Sequence, residues 1–396
     1  MTGTTIGGRL SDVPFFDEQL SRLVRELNSL SGESALPPVE RDPGGEVRLD
    51  VLLARAAETR ASDLLLVTGA PPTARVDGRL LAIDPQVLDD RVVVALIHEV
   101  LEEPWARALE RTLAADFCFD RPGLGRYRCN VHLQRGVLAA AIRALPPAIP
   151  GLEALGLPQV LGRFAALERG LVLLCGPAGC GKSTTLACIV DIVNRTRNAH
   201  VITVEDPIEH VHAHGTSIVE QIEVGRDTPS FGEALRHVLR QDPDVILVGE
   251  MRDRETIAMT LTAAETGHLV LSTLHTGTVA QTLDRIVDVF PEDQQPQIRA
   301  QLALSLAGIV LQHLLPKREG PGRVPAVEVL LINDAIRNLI RRGQNHQIPA
   351  QLVTGRTGGM IPLEDSLARL VKSGTVTREE ALRHAPHPEE FESFLR

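Results

Sequence analysis

Residues 176–183 read Gly-Pro-Ala-Gly-Cys-Gly-Lys-Ser, between an apolar run at 171–175 and a helix-like segment at 184–193. No other stretch restricts the fold as much. A strand that enters a glycine-rich turn and leaves as a helix is the context of a phosphate-binding loop. Gly176, Gly179 and Gly181 let the backbone turn its N–H groups inward around an anion. Pro177, Ala178 and Cys180 fill the turn between them, and Thr184 opens the helix, so residues 176–184 form the candidate cofactor-binding run. Within it Lys182 reaches toward β- and γ-phosphates, and the Ser183 hydroxyl is placed to ligand Mg²⁺. The helix N-terminus adds positive potential at the same point. The loop predicts binding of a nucleoside triphosphate.

Apolar strand-like runs at 171–175, 201–204, 245–248 and 269–273 alternate with helical text. Three of them are continuously apolar, as strands covered on both faces of a parallel sheet should be. In such a sheet the C-terminal strand tips converge on the ligand. The second run ends in Glu205-Asp206-Pro207-Ile208-Glu209, where a carboxylate orients the attacking water or holds Mg²⁺ through water. The third ends in Gly249-Glu250, the arrangement of a Walker B strand, which puts Glu250 next to Mg²⁺. The fourth is bracketed by His268 and His275, candidates for sensing the γ-phosphate. No third ligand is spaced to make these histidines a metal site. Phosphoryl transfer often borrows an arginine from outside the core, and Arg75, Arg79, Arg126 and Arg128 are candidates.

Length predicts two or three domains for 396 residues. Phe16, Leu20, Leu23, Val24, Leu27 and Leu30 fall at helical spacing, and Pro and Gly break the pattern from 31 to 46. Residues 1–46 thus read as an amphipathic helix on a flexible linker. Residues 47–148 read as a small α+β domain: helices at 49–59 and 90–115, strands at 63–68, 116–119, 126–133 and 137–143, and a hairpin of 73–76 with 79–83 around Asp77-Gly78. Residues 151–332 carry the loop and the alternating strands, and 333–396 form a helix-rich tail.

The net charge of −10 and the scarcity of aromatics argue against general nucleic-acid binding. Five cysteines without a C-x-x-C pair suit a reducing compartment. The N-terminus lacks a signal-peptide core and the apolar runs are too short to span a bilayer, so a cytoplasmic chain without membrane insertion is expected.

Together these segments resemble the secretion ATPase superfamily, and within it the retraction motors of type IV pili. The resemblance runs from about 47 to 385. It rests on Ala61-Ser62-Asp63-Leu64, Arg75-Val76-Asp77-Gly78, the phosphate loop, the acidic box Val204-Glu205-Asp206-Pro207-Ile208-Glu209, and Leu239-Arg240-Gln241-Asp242-Pro243-Asp244 leading to Gly249-Glu250-Met251-Arg252-Asp253. To these add the histidine box from Thr266-Gly267-His268 to Thr273-Leu274-His275-Thr276, and Ala335-Ile336-Arg337-Asn338-Leu339-Ile340-Arg341. Extension motors of the superfamily usually carry a paired C-x-x-C zinc insertion, which is absent here.

The resemblance implies an α/β fold. A RecA-like P-loop ATPase domain with a mostly parallel sheet is preceded by a smaller α+β (PAS-like) domain and followed by a helical C-terminal region. It implies ATP and Mg²⁺ as cofactors and a homo-hexameric ring. The ring would be cytoplasmic, held peripherally at the inner membrane by the pilus platform protein and other pilus machine proteins. The roles carried over fall on Lys182, Ser183, Glu205, Glu209, Glu250, His268 and His275, with Arg126 and Arg128 meeting the nucleotide. Three positions depart from the pattern: residues 1–46 have no counterpart, Gly277 replaces the usual Asn, and Leu311 and His313 replace the Ser and Thr beside Gln312. These departures keep a regulatory or paralogous pilus ATPase in view, besides a motor of type II secretion, pilus extension or DNA uptake.

Overall fold

Alternating burial along the first strands builds a sheet with one covered face. A computed structural model describes residues 47–146 and 148–396, so the segment read as an N-terminal helix and linker lies outside the described residues. The chain divides into two units, 1–147 and 148–396. In the first, β1 (Asp63–Val67), β2 (Thr73–Val76), β3 (Arg79–Ala82), β4 (Ala114–Arg121), β5 (Gly125–Gln134) and β6 (Val137–Ala144) form one antiparallel sheet in the order β3-β2-β1-β6-β5-β4. Along β5, Tyr127, Cys129 and Val131 are buried and join a core with Leu52, Leu53, Val93, Ile97 and Trp105 from three helices, Leu49–Glu58, Asp90–His98 and Glu103–Thr112. The intervening Arg126, Arg128 and Asn130 therefore lie on the opposite face.

The text at 90–115, read as one helix, forms two. Glu102 is extended at the entrance of the second helix, and Pro104 in its first turn has no N–H to continue the preceding ladder.

The second unit contains β7 (Gly170–Cys175), β8 (His200–Glu205), β9 (Ile218–Glu223), β10 (Val245–Val248), β11 (Leu269–Leu274), β12 (Leu306–Pro316) and β13 (Arg323–Leu331). Their order is β13-β12-β7-β11-β10-β8-β9; all neighbours are parallel except β12 and β13. Every residue of β7, β10 and β11 is buried. Alternate residues feed two cores: Leu171, Leu173, Val204 and Ile246 on one face, Val172, Leu174, Val201 and Leu247 on the other. The tail helices add Ile336, Ile340, Leu363, Leu367 and Phe391 to the first of these cores. Arg337, within the segment 335–341, donates to the carbonyls of Ala303 and Leu304 at 2.5 and 2.9 Å, capping the C-terminal end of the Gln295–Ser305 helix. Among the described residues no helix is long and apolar enough to cross a membrane.

Candidate nucleotide site

Strand order decides which sequence motifs meet. β11 lies between β7 and β10, and β8 follows β10. Register places Cys175 opposite Leu274, Ser272 opposite Val248, and Val248 opposite Val204. The residues at or just beyond each strand's end therefore line one edge of the sheet: the glycine loop, then His275, then Glu250, then Glu205. Neighbouring strands are about 4.8 Å apart, so the row is short enough for one triphosphate and its surroundings.

The loop leaves β7 at Gly176 with φ 139° and enters the Lys182–Thr196 helix through Gly181 at φ 90°. Both angles favour glycine. A side chain at Gly176 would also place its Cβ 2.3 Å from the Gln312 carbonyl oxygen and 2.7 Å from Cys180 Sγ. Gly176→Ala is therefore expected to cost about 2–5 kcal/mol, combining left-handed strain with overpacking. Urea unfolding of the purified variant measures it; an unchanged midpoint would contradict this packing.

Lys182 is 7% exposed. Its Nζ donates to the Gly176 and Pro177 carbonyls at 2.9 and 3.0 Å, and lies 3.4 Å from His275 Nδ1. The other ring nitrogen, Nε2, faces Glu250 Oε1 at 3.6 Å. With an ammonium donating to Nδ1, the ring proton belongs on Nε2, toward the carboxylate. Desolvation and the neighbouring Lys182 lower the pKa of His275, against the pull of Glu250. Glu250 Oε2 accepts from Arg252 Nε at 2.9 Å. His275 thus stands between Lys182 and Glu250.

Glu205 ends β8 and is half-buried. Its Oε1 accepts from Thr203 Oγ1 at 2.7 Å and from Gln221 Nε2 at 3.2 Å. Desolvation pushes this carboxyl up to about 7; the two hydrogen bonds oppose the rise, and Glu209 and Glu223 add to it. Gly249 N–H donates to the Val204 carbonyl at 2.8 Å, which ties the Glu205 and Glu250 tips together. Asp253 caps the following helix by accepting from Thr256 N–H at 2.9 Å.

The residues fit the ligands the loop predicts. Nothing lies within 4 Å of where a Cβ on Gly179 would stand, and a buried ammonium rests on the Gly176 and Pro177 carbonyls at the mouth of the turn. The Ser183 hydroxyl and the Glu250 carboxylate are hard oxygen donors of the kind Mg²⁺ takes.

His268 precedes β11, at the end remote from the loop, with Nδ1 2.9 Å from the Ala263 carbonyl and 3.2 Å from Thr266 Oγ1. Arg126 and Arg128 belong to the first unit, where they pair with Asp120 (2.5 Å) and Asp116 (3.7 Å) of β4. Thr203 and Gln221 lie outside the motifs, and Arg252 lies within Gly249-Glu250-Met251-Arg252-Asp253; all three hold the acids. Arg252 alone could have been found from its place two residues after Glu250.

The family model of the type II/IV secretion system proteins matches residues 152–383. The chain belongs to that family. It is 46% identical over 340 residues to the type IV pilus retraction ATPase PilT of Pseudomonas aeruginosa, covering 86% of this chain and 98% of that protein. A twitching motility protein of Neisseria gonorrhoeae is 43% identical, over 80% of this chain and 85% of its own length. The crystal structure of the pilus retraction motor PilT with bound ADP superimposes with a TM-score of 0.81 at 45% identity, covering 88% of this chain and all of that one. The family member described here therefore has the PilT-like ATPase fold.

Proposed function

We propose that this chain hydrolyses ATP, with Mg²⁺, to power the retraction of type IV pili. One observation carries the reading: Lys182, His275 and Glu250 stand side by side at the glycine loop, with His275 3.4 Å from the lysine Nζ and 3.6 Å from the Glu250 carboxylate. Close similarity to retraction and twitching proteins supports the biological role.

In this reading Lys182 leaves the Gly176 and Pro177 carbonyls for the phosphate oxygens. His275, bonded to that ammonium, moves with it and so registers whether a γ-phosphate is present. Bound Mg²⁺, held by Ser183 and through water by Glu250, would neutralise phosphate charge. Glu205, held by Thr203 and Gln221, takes the proton of the attacking water, and Glu209 raises its basicity by charge repulsion. Arg126 and Arg128 are the proposed arginines of the reaction, and His268 is assigned to orienting the turn before β11 rather than to phosphate contact.

We assign residues 47–148 to a PAS-like module, 151–332 to a RecA-like core and 333–396 to a helical tail. Six copies would form a cytoplasmic ring at the inner membrane, engaging the pilus platform protein. A strain lacking the gene is expected to keep surface pili and lose twitching, with recovery from wild type and none from Lys182→Ala. Loss of surface pili instead would make the chain an extension motor.

A further inference from the structure

β12 flanks β7 on the side opposite β11, and its Gln312 is 3% exposed. The carboxamide makes two bonds, both to the phosphate-binding element. Its Nε2 donates to the Cys180 carbonyl at 2.6 Å, and its Oε1 accepts from Thr185 Oγ1 at 2.9 Å. Cys180 lies in the glycine loop and Thr185 in the first turn of the helix that follows. One side chain therefore ties both halves of the element to β12.

The loop backbone is pressed onto the same residue. A Cβ on Gly176 would meet the Gln312 carbonyl oxygen at 2.3 Å, and one on Gly181 would meet Gln312 Nε2 at 2.8 Å. The bond to Cys180 has a directional consequence. Across a planar trans peptide the carbonyl and the next N–H point in opposite directions. Fixing the Cys180 oxygen on Gln312 therefore turns the Gly181 N–H away from β12. A residue that only filled space here would be apolar, because burying a carboxamide costs free energy that just these two bonds offset.

We infer that Gln312 is a positioning residue for nucleotide binding, whose carboxamide sets the orientation of the Cys180–Gly181 peptide and of the first helical turn so that their donors converge on the phosphates. The inference rests on the ATP reading above and gives that site a support outside the loop motif.

The test uses the full chain with Mg²⁺ and a fluorescent ADP analogue, alongside thermal melts with and without ADP. Gln312→Leu removes both bonds. Gln312→Glu keeps the acceptor for Thr185 but sets a carboxylate against the Cys180 carbonyl. Thr185→Val removes only the second bond. Both Gln312 variants are expected to weaken ADP binding roughly tenfold or more, the scale of one buried group left unpaired. The Michaelis constant for ATP rises in parallel while turnover at saturation changes less, and Thr185→Val shows a smaller loss of the same kind. If Gln312→Leu fails to fold, Gln312→Glu and Thr185→Val carry the test. Variants that melt lower without ADP yet keep wild-type affinity and a full ADP-induced rise in melting temperature would overturn the inference, leaving Gln312 a packing residue. Absence of ADP binding by the wild-type protein would instead strike the ATP reading itself.

Discussion

Lys182→Ala is expected to lower steady-state ATP turnover by about a hundredfold or more, the scale lost when one preorganised donor to developing phosphate charge is removed. The lysine is buried and its ammonium rests on two loop carbonyls, so it is already at the mouth of the glycine turn and needs only a short movement to reach a phosphate. Arginine should not rescue it. A guanidinium is planar and wide, whereas this space accommodates a compact point charge between loop backbone and imidazole. A second readout separates loss of the charge from loss of the fold. Lys182 is one of the groups holding the pKa of His275 down, while Glu250 pulls it up. Removing the ammonium should therefore raise the His275 titration midpoint in an NMR titration. An unmoved midpoint with retained turnover would mean that Lys182 and His275 do not share a site.

Glu205→Gln should reduce turnover about a hundred- to ten-thousandfold, the range for a lost general base, with little change in nucleotide affinity. The wild-type enzyme should show an acid limb in its pH–rate profile. Glu205 must be ionised to accept a proton, and its carboxyl is pushed up to about 7, so turnover falls as pH drops through that value. The same shift acts on stability with the opposite sense. The folded state holds this proton more tightly than the unfolded chain, so the stabilisation is complete below the ordinary carboxylate value of 4.5 and is lost as pH rises toward 7. Glu328, also pushed up to about 7 by burial beside Glu364, adds a contribution of the same sign. Melting temperature of the nucleotide-free protein should fall between pH 5 and 8, less steeply in Glu205→Gln. A flat rate profile across neutrality would remove Glu205 from the role of base.

Local chemistry was legible wherever one short segment contains the whole reason for its conformation. Four apolar residues ending in Gly249-Glu250 have to be covered on both faces, and β10 is. The glycine loop dictates its own turn. The Asp77-Gly78 hairpin closes β2 on β3 as its turn residues require. Legibility fails where partners are distant or the period is blurred. β12 follows a helix within one nearly continuous apolar stretch, so neither its start nor its pairing stands out. Its key residue, Gln312, bonds partners 132 and 127 residues away in sequence. β9 is an edge strand with Glu220, Gln221 and Glu223 among six residues, a polar text that reads as loop although Gln221 holds Glu205. His268 and His275 bracket one strand, and the direction of β11 puts His275 at the loop and His268 at the far end.

The central claim is that the glycine loop and the acids at neighbouring strand tips form one hydrolytic centre. Phosphate release by the purified full-length protein, followed with ATP and with or without Mg²⁺, tests it most directly. The account predicts turnover that requires Mg²⁺ and is nearly abolished by both Lys182→Ala and Glu205→Gln. Release that persists in either variant, or none from the wild-type protein, would contradict it.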